Sequence, residues 1–276
     1  MQRLIITGRA FYAIALIVYG IQQLYFGTFR DVFFSVYQQQ LPLLNVFAYL
    51  FGLYLITTGI LILLPGKGRR ASLILGAVFI TLLIGTHLSY ALISETNKLY
   101  HLGLWTNPLK ELALAGGAFV LAHSYGANDV ASRGLLEKMI PYGNLLFLVT
   151  ITSFGVAHIV YSPFLAGTVP EWMANREFWI LLTGVTLIAS GLAIIFGIRI
   201  RAIALLLSLQ IFLWIWMVHV PGTLATSLTA NRGNSLASTF DAFAFSGTAL
   251  LISMTMKKQQ WVEYLERLGE PEIINL

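Results

Sequence analysis

Residues 43–64 read LLNVFAYLFGLYLITTGILILL, an apolar run without a charged side chain that ends directly before Pro65. A helix of about 20 apolar residues can cross the hydrocarbon core of a bilayer, which is about 30 Å thick. Similar runs recur along the whole chain, and none shows the alternation of a membrane β-strand. Because only helices and closed barrels satisfy their own backbone in lipid, the sequence predicts an all-α, polytopic membrane protein.

The composition agrees with this fold class. Of the 276 residues, 57% are hydrophobic and 11% are charged, whereas soluble domains carry about 25% charged residues. No cysteine is present, which excludes disulfides, thiol chemistry and covalently attached haem. The net charge of +5 is spread over short loops. We therefore attribute it to orientation in the lipid bilayer and expect no nucleic-acid partner.

We predict eight transmembrane helices, separated by short polar or glycine- and proline-bearing turns. Of the 17 Lys and Arg residues, 12 lie on the side of both termini and 5 on the other side. The positive-inside rule then places both termini in the cytoplasm, and we expect the bacterial cytoplasmic (inner) membrane. The predicted spans are about 10–28, 43–64, 71–93, 109–124, 143–163, 177–197, 202–220 and 239–256.

The second half of the sequence repeats the first at an offset of about 132 residues. Four spans per copy is an even number, so the copies would enter the membrane in the same direction, as two parallel four-helix repeats. Glycines two turns apart on one helix face predict close helix packing. The matching pairs are Leu50/Leu182, Gly52/Gly184, Gly59/Gly191, His87/His219 and Glu111/Asp241. The predicted units are a first repeat (1–126), a linker (127–142), a second repeat (143–256) and a cytoplasmic amphipathic tail (257–276).

Ionisable and aromatic residues gather near the predicted outer ends of the spans. Ionisable residues inside a membrane are functional candidates. Aromatic walls with imidazoles and carboxylates suit a quinone head group or another flat amphipathic molecule. The ligand-binding candidates are Gln23, His87, Trp105, Glu111, His158, Trp172, His219 and Asp241.

Each candidate also has a structural interpretation. His219 precedes Val220-Pro221 and could simply end a helix at the interface. Glu111 and Asp241 open their spans, where the helix dipole favours a carboxylate. Lys110 can also neutralise Glu111, which is the structural alternative to a functional role for this carboxylate, and the tryptophans would suit an interfacial belt.

Haem is the alternative cofactor that the histidines suggest. His87 and His219 could hold an iron from opposite sides, but the bulky Trp216 lies one turn before His219. Three histidines without ligand-spaced motifs are also a weak metal signal. We therefore expect neither haem nor a metal site.

Residues 104–118, LWTNPLKELALAGGA, resemble the fourth-helix signature of the bacterial DoxX-like family. The second copy is similar to that family in 155–158, 169–172, 182–185 with Gly191, and 219–221, so the chain looks like a fused pair of its four-helix units. The second copy departs from the signature at 239–242, where TFDA keeps the carboxylate and lacks the lysine. The residues that the resemblance carries over are His158, Trp172, His219, Lys110 and Glu111.

The resemblance implies a membrane subunit associated with a redox system, because family members are linked to quinone-coupled sulfur oxidation, terminal oxidases and oxidative-stress assemblies. The chain has no cofactor-binding motif, so we predict that it does not catalyse alone and that a redox partner protein supplies electrons. A non-catalytic membrane scaffold or cargo- or lipid-binding protein is the alternative. A small-solute transporter fits less well, because parallel copies without broken helices differ from common transporters.

Overall fold

The computed structural model describes residues 1–34, 43–126, 134–226, 229 and 233–256. Helices account for most of this part of the chain, and no strand occurs in it. The whole predicted amphipathic tail and residues 127–133 of the predicted linker lie outside the described residues. The prediction of an all-α, polytopic membrane protein is confirmed.

Eleven α-helices, two π-helical turns and three 3-10 turns make up the described fold. The long helices begin and end near the predicted spans, although α1 begins eight residues earlier and α6 takes in the end of the predicted linker. The α-helices are α1 (Gln2–Phe26), α2 (Leu44–Leu63), α3 (Gly68–Leu82), α4 (Ser89–Ser94), α5 (Thr106–Ser124), α6 (Ile140–Val160), α7 (Ser162–Ala166), α8 (Arg176–Ile195), α9 (Ile200–Trp214), α10 (Val220–Ala225) and α11 (Asn234–Thr255).

Seven helices are long and apolar enough to cross a membrane: Gln2–Phe26, Leu44–Leu63, Gly68–Ser94, Leu135–Val160, Arg176–Ile195, Ile200–Ala225 and Asn234–Thr255. Helix α5, the predicted fourth span, is not among them. Every residue from 113 to 122 of α5 is buried in protein. The lower hydropathy of α5 comes from its ends, because polar residues in its first two turns, including Lys110 and Glu111, and His123 in its last turn flank that apolar stretch. The eighth span stays a prediction.

Helices α5 and α11 form the centre of the bundle and contact each other. In the first half (residues 1–126), α3 packs against α5 and α1 packs against α2. In the second half (residues 134–256), α9 packs against α11 and α6 packs against α8. The halves are joined by α1 packing on α11 and α6 packing on α5.

Glycines allow the backbones of several helix pairs to touch, as predicted for Gly52 and Gly184. A Cβ atom on Gly20 would lie 2.5 Å from the Gly52 carbonyl oxygen, between α1 and α2. A Cβ atom on Gly155 would lie 2.7 Å from the Gly184 carbonyl oxygen, between α6 and α8. Both distances are too short for a real side chain, so these positions require glycine.

The central helices make the same kind of contact with the first helix of the opposite half. A Cβ atom on Gly247 would lie 2.6 Å from the Gly8 carbonyl oxygen, between α11 and α1. A Cβ atom on Gly116 would lie 2.6 Å from the Gly143 carbonyl oxygen, between α5 and α6. These four glycines hold the two halves together at backbone distance.

Candidate functional site

A buried ion pair joins the two central helices. Lys110 Nζ on α5 lies 2.8 Å from Asp241 Oδ2 on α11, and Asp241 is 4% exposed. The hydroxyl of Tyr19 on α1 donates to the other oxygen of Asp241. Lys110 also donates to Ser238 Oγ at 3.3 Å. Burial of two charges costs free energy that good geometry and extra hydrogen bonds must offset, and Asp241 has both.

The structural alternative, in which Lys110 neutralises Glu111, is wrong. The structure pairs Lys110 with Asp241, from the other half of the chain. Consecutive residues of an α-helix point about 100° apart. Lys110 therefore reaches α11, whereas Glu111 points toward His87 in the π-turn Leu83–Leu88, which follows α3.

Glu111, the counterpart of Asp241 in the first half, lies beside His87. Glu111 is fully buried, and His87 is 4% exposed. His87 Nε2 lies 3.8 Å from Glu111 Oε2, which is too long for a hydrogen bond. The same nitrogen donates to the Val32 carbonyl oxygen at 3.1 Å. Within the described part of the chain, neither carboxyl oxygen of Glu111 has a hydrogen-bond partner, which is an expensive arrangement for a buried polar group.

His87 and His219, which follow α3 and α9, both lie in π-helical turns. His87 belongs to the turn Leu83–Leu88, and His219 ends the turn Ile215–His219. Single π-turns inside α-helices are frequent at functional sites. The two turns occupy equivalent positions of the halves. The chain continues in α10 after His219, so this histidine does not end the helix.

His219 lies in a cluster that both halves contribute to. Thr223, one turn after His219, hydrogen-bonds to Thr239 of α11 at 3.0 Å, two residues before Asp241. Phe154, one turn before His158, lies against Phe245, one turn after Asp241, with ring centroids 6.3 Å apart. His219 and His158 are partly exposed, and the side chain of Lys110 is 19% exposed. His158 Nδ1 donates to the Phe154 carbonyl oxygen at 2.7 Å. We call Lys110, His158, His219 and Asp241 the central cluster.

The other candidates have different environments. Gln23 is fully buried, and its amide atoms have no hydrogen-bond partner among the described residues. Trp105 donates from its ring nitrogen to the Leu99 carbonyl oxygen at 2.9 Å. Trp172 is 66% exposed and contributes to the surface rather than to a buried wall. The structure thus brings together His158, His219 and Asp241, and separately His87 and Glu111.

Sequence reasoning did not assign the hydroxyl groups of this site. Tyr19 is not among the predicted candidates, yet it donates to Asp241 over a separation of 222 residues. Lys110 carried a visible signal, because a lysine in an otherwise apolar helix needs a partner. The pairing itself had no signal in the sequence.

An apolar groove lies apart from these polar groups, between α2, α3 and the segment after α1. Its volume is about 370 Å³. It has no charged lining residue, which suits an acyl or isoprenoid chain. The lining residues are Phe29, Phe47, Leu50, Phe51, Tyr54, Val78 and Leu82.

Neither a family model, nor a curated protein, nor a solved structure matches this chain. The resemblance to the DoxX-like family therefore stays a prediction. Among the described residues, no group of three or more His, Cys, Asp or Glu side chains is arranged to hold a metal ion.

Proposed function

We propose that this chain is a multi-pass subunit of a membrane redox system, built from two DoxX-like four-helix repeats, that binds a quinone or a similar amphipathic molecule. The site lies near the outer face, and both termini lie in the cytoplasm of a bacterial cell. The observation that carries the proposal is the central cluster. Ionisable side chains from four helices lie close together there, three of them partly exposed, in a protein whose long helices are suited to lipid.

Equivalent features of the two halves support the repeat layout in this proposal. The Gly20–Gly52 contact corresponds to the Gly155–Gly184 contact, with an offset of 135 residues between α1 and α6, which also matches Gln23 with His158, and of 132 residues between α2 and α8. The π-turns that contain the histidines are offset by 132 residues. A duplicated unit places equivalent polar groups on opposite sides of the central helices, as an axis along the membrane normal would require.

The cluster has the chemistry to bind the oxygens of a quinone. An ammonium group has three N–H donors, and the described contacts of Lys110 to Asp241 and Ser238 use two of them. A neutral imidazole can donate from one ring nitrogen and accept at the other. A partner protein supplies the electrons, because the sequence has no cofactor-binding motif.

Quinone retention tests this function. The full chain, purified in mild detergent, is extracted and its quinone content is measured by mass spectrometry. We expect bound quinone in the native chain and little in a variant that carries both Lys110→Met and Asp241→Asn, which removes the charges in pairs. The matched control carries both Lys98→Met and Glu95→Gln at the ion pair Lys98–Glu95, which is 2.7 Å long and outside the cluster. Equal or absent quinone in all three proteins contradicts the proposal.

A lipid- or cargo-binding protein is the second candidate, and the apolar groove favours it. Val78→Trp would fill the groove, whereas Leu53→Trp places the same side chain on the exposed face of α2, where Leu53 is 52% exposed. If lipid binding is the function, native mass spectrometry should detect a retained lipid that only Val78→Trp displaces. A lipid retained equally by both variants would argue against the groove.

A further inference from the structure

The two halves place similar polar residues at equivalent points, but they surround them differently. In the first half, the segment that follows α1 turns into the bundle. Phe33 is fully buried. Its ring stacks on that of Phe79 of α3 and contacts that of Tyr19 of α1 edge-on, each with ring centroids 5.3 Å apart. It also meets Phe51 of α2 edge-on at 5.4 Å. One ring of this segment thus touches all three outer helices of its half.

The same segment satisfies the polar groups of the first half with its own backbone. The Val32 carbonyl oxygen accepts from His87 Nε2 at 3.1 Å. The next carbonyl, that of Phe33, accepts from Thr86 Oγ1 at 3.2 Å. A carbonyl of the chain therefore occupies the position at which His87 would otherwise donate to a ligand oxygen.

The corresponding segment of the second half packs elsewhere. Val169 and Met173 are buried in a small cluster with Trp179 and Trp214, separate from the main core that includes Phe33. Among the described residues, no hydrogen bond holds the His219 ring. His219 is partly exposed, whereas its counterpart His87 is 4% exposed.

The donors and acceptors of the central cluster that have no partner determine which ligand groups it can bind. His158 uses Nδ1–H for the Phe154 carbonyl oxygen, so its Nε2 is left as an acceptor in the neutral ring. His219 and the third N–H of Lys110 can donate. A group that accepts as a carbonyl and donates as a hydroxyl, or a carboxyl group, matches this set.

We propose that the chain has a single ligand site in its second half, where Lys110, His158 and His219 hold the oxygen-bearing head of an amphipathic molecule, and that residues 29–34 fill the equivalent space of the first half. This inference deepens the proposed function and rests on it. A quinone and a fatty acid share the oxygen acceptors that Lys110 and His219 require, and a hydroxyl donor for His158 Nε2 is present in the carboxylic acid and in the reduced quinol.

Thermal-shift titration of the full chain in detergent tests the proposal, because a ligand that binds only the folded state raises the melting temperature with concentration. The two probes are a decyl-substituted benzoquinone and decanoic acid. His219→Leu should weaken binding of the recognised probe about tenfold, the equivalent of about 1.4 kcal/mol for a lost hydrogen bond. The matched variant His87→Leu should leave the apparent Kd within about twofold.

His158→Gln is a second variant for the second half, because glutamine is the residue at the equivalent position of the first half, Gln23. It should also weaken binding, while Glu111→Gln should not. Equal losses from variants of both halves would overturn the single-site proposal and leave the proposed function standing. Binding of decanoic acid alone would support the site and contradict the quinone. Failure of both probes to bind the native chain would overturn the site and the proposed function together.

Discussion

The carboxylates Glu111 and Asp241 occupy equivalent positions of the two halves, but their surroundings are opposite. Asp241 accepts from Tyr19 and pairs with Lys110. Glu111 is fully buried without a hydrogen-bond partner in the described structure. The sequence explains part of this difference. The counterpart of Lys110 in the second half is Phe240, and the counterpart of Tyr19 is Phe154, so neither partner of Asp241 is repeated for Glu111. A duplicated fold can thus keep the position of a charge and change its role.

The largest effect is expected from Lys110→Met. This change leaves the Asp241 charge buried with Tyr19 as its remaining partner, and removal of one member of a buried pair costs about 3–5 kcal/mol. Adding Asp241→Asn should restore much of the loss, since no uncompensated charge remains. Chemical unfolding of the single and double variants in detergent measures the coupling, and additive losses would contradict a direct pair.

Neutralising Asp241 and neutralising Glu111 should lower the free energy of unfolding by different amounts. Asp241→Asn weakens hydrogen bonds to a charged group, and we expect a loss of about 1.5–3 kcal/mol. Glu111→Gln removes no hydrogen bond from the described structure, so its cost should be smaller. The same unfolding assay compares them, and a greater loss for Glu111→Gln would reverse the assignment.

The glycine contacts should show no difference between the halves. Gly20→Ala and Gly155→Ala each push a methyl group against a carbonyl oxygen, and overpacking costs about 1–3 kcal/mol. Gly85→Ala is the control, because a Cβ atom there meets nothing within 4 Å. Melting temperatures of the three variants would test the proposed equivalence of the helix pairs.

The smallest effect is expected at the pair Lys98–Glu95, where the Lys98 side chain is 62% exposed. Lys98→Met should barely change stability at neutral pH, because exposed ion pairs contribute little. Hydrogen bonds from Lys98 and Tyr90 hold the pKa of Glu95 below its usual value. Any stabilisation by this pair is therefore present at neutral pH and is lost as the pH falls through the lowered pKa. A large loss at neutral pH would contradict this.

The helices and their glycine contacts were predictable from the sequence, because hydropathy and residue spacing are local properties. Seven long apolar helices and the Gly52 and Gly184 contacts agree with the prediction. Helix α5 differs from the other predicted spans because polar residues in its first turns, among them Lys110 and Glu111, lower its hydropathy, and Lys110 meets its partner Asp241 only in the tertiary structure. The candidate residues His87, Glu111, His219 and Asp241 were also visible, because ionisable groups are rare in such runs.

What the sequence alone determined is that several helices fit a membrane and that charged groups lie near their ends. Only the tertiary structure decided that Lys110 pairs with Asp241 instead of its neighbour Glu111, that His87 and His219 lie in π-turns, and that Phe33 enters the core. The reason is that these outcomes depend on the rotation and depth of each helix against helices from the other half. Contacts between residues more than a hundred positions apart set both quantities, and no local pattern encodes them.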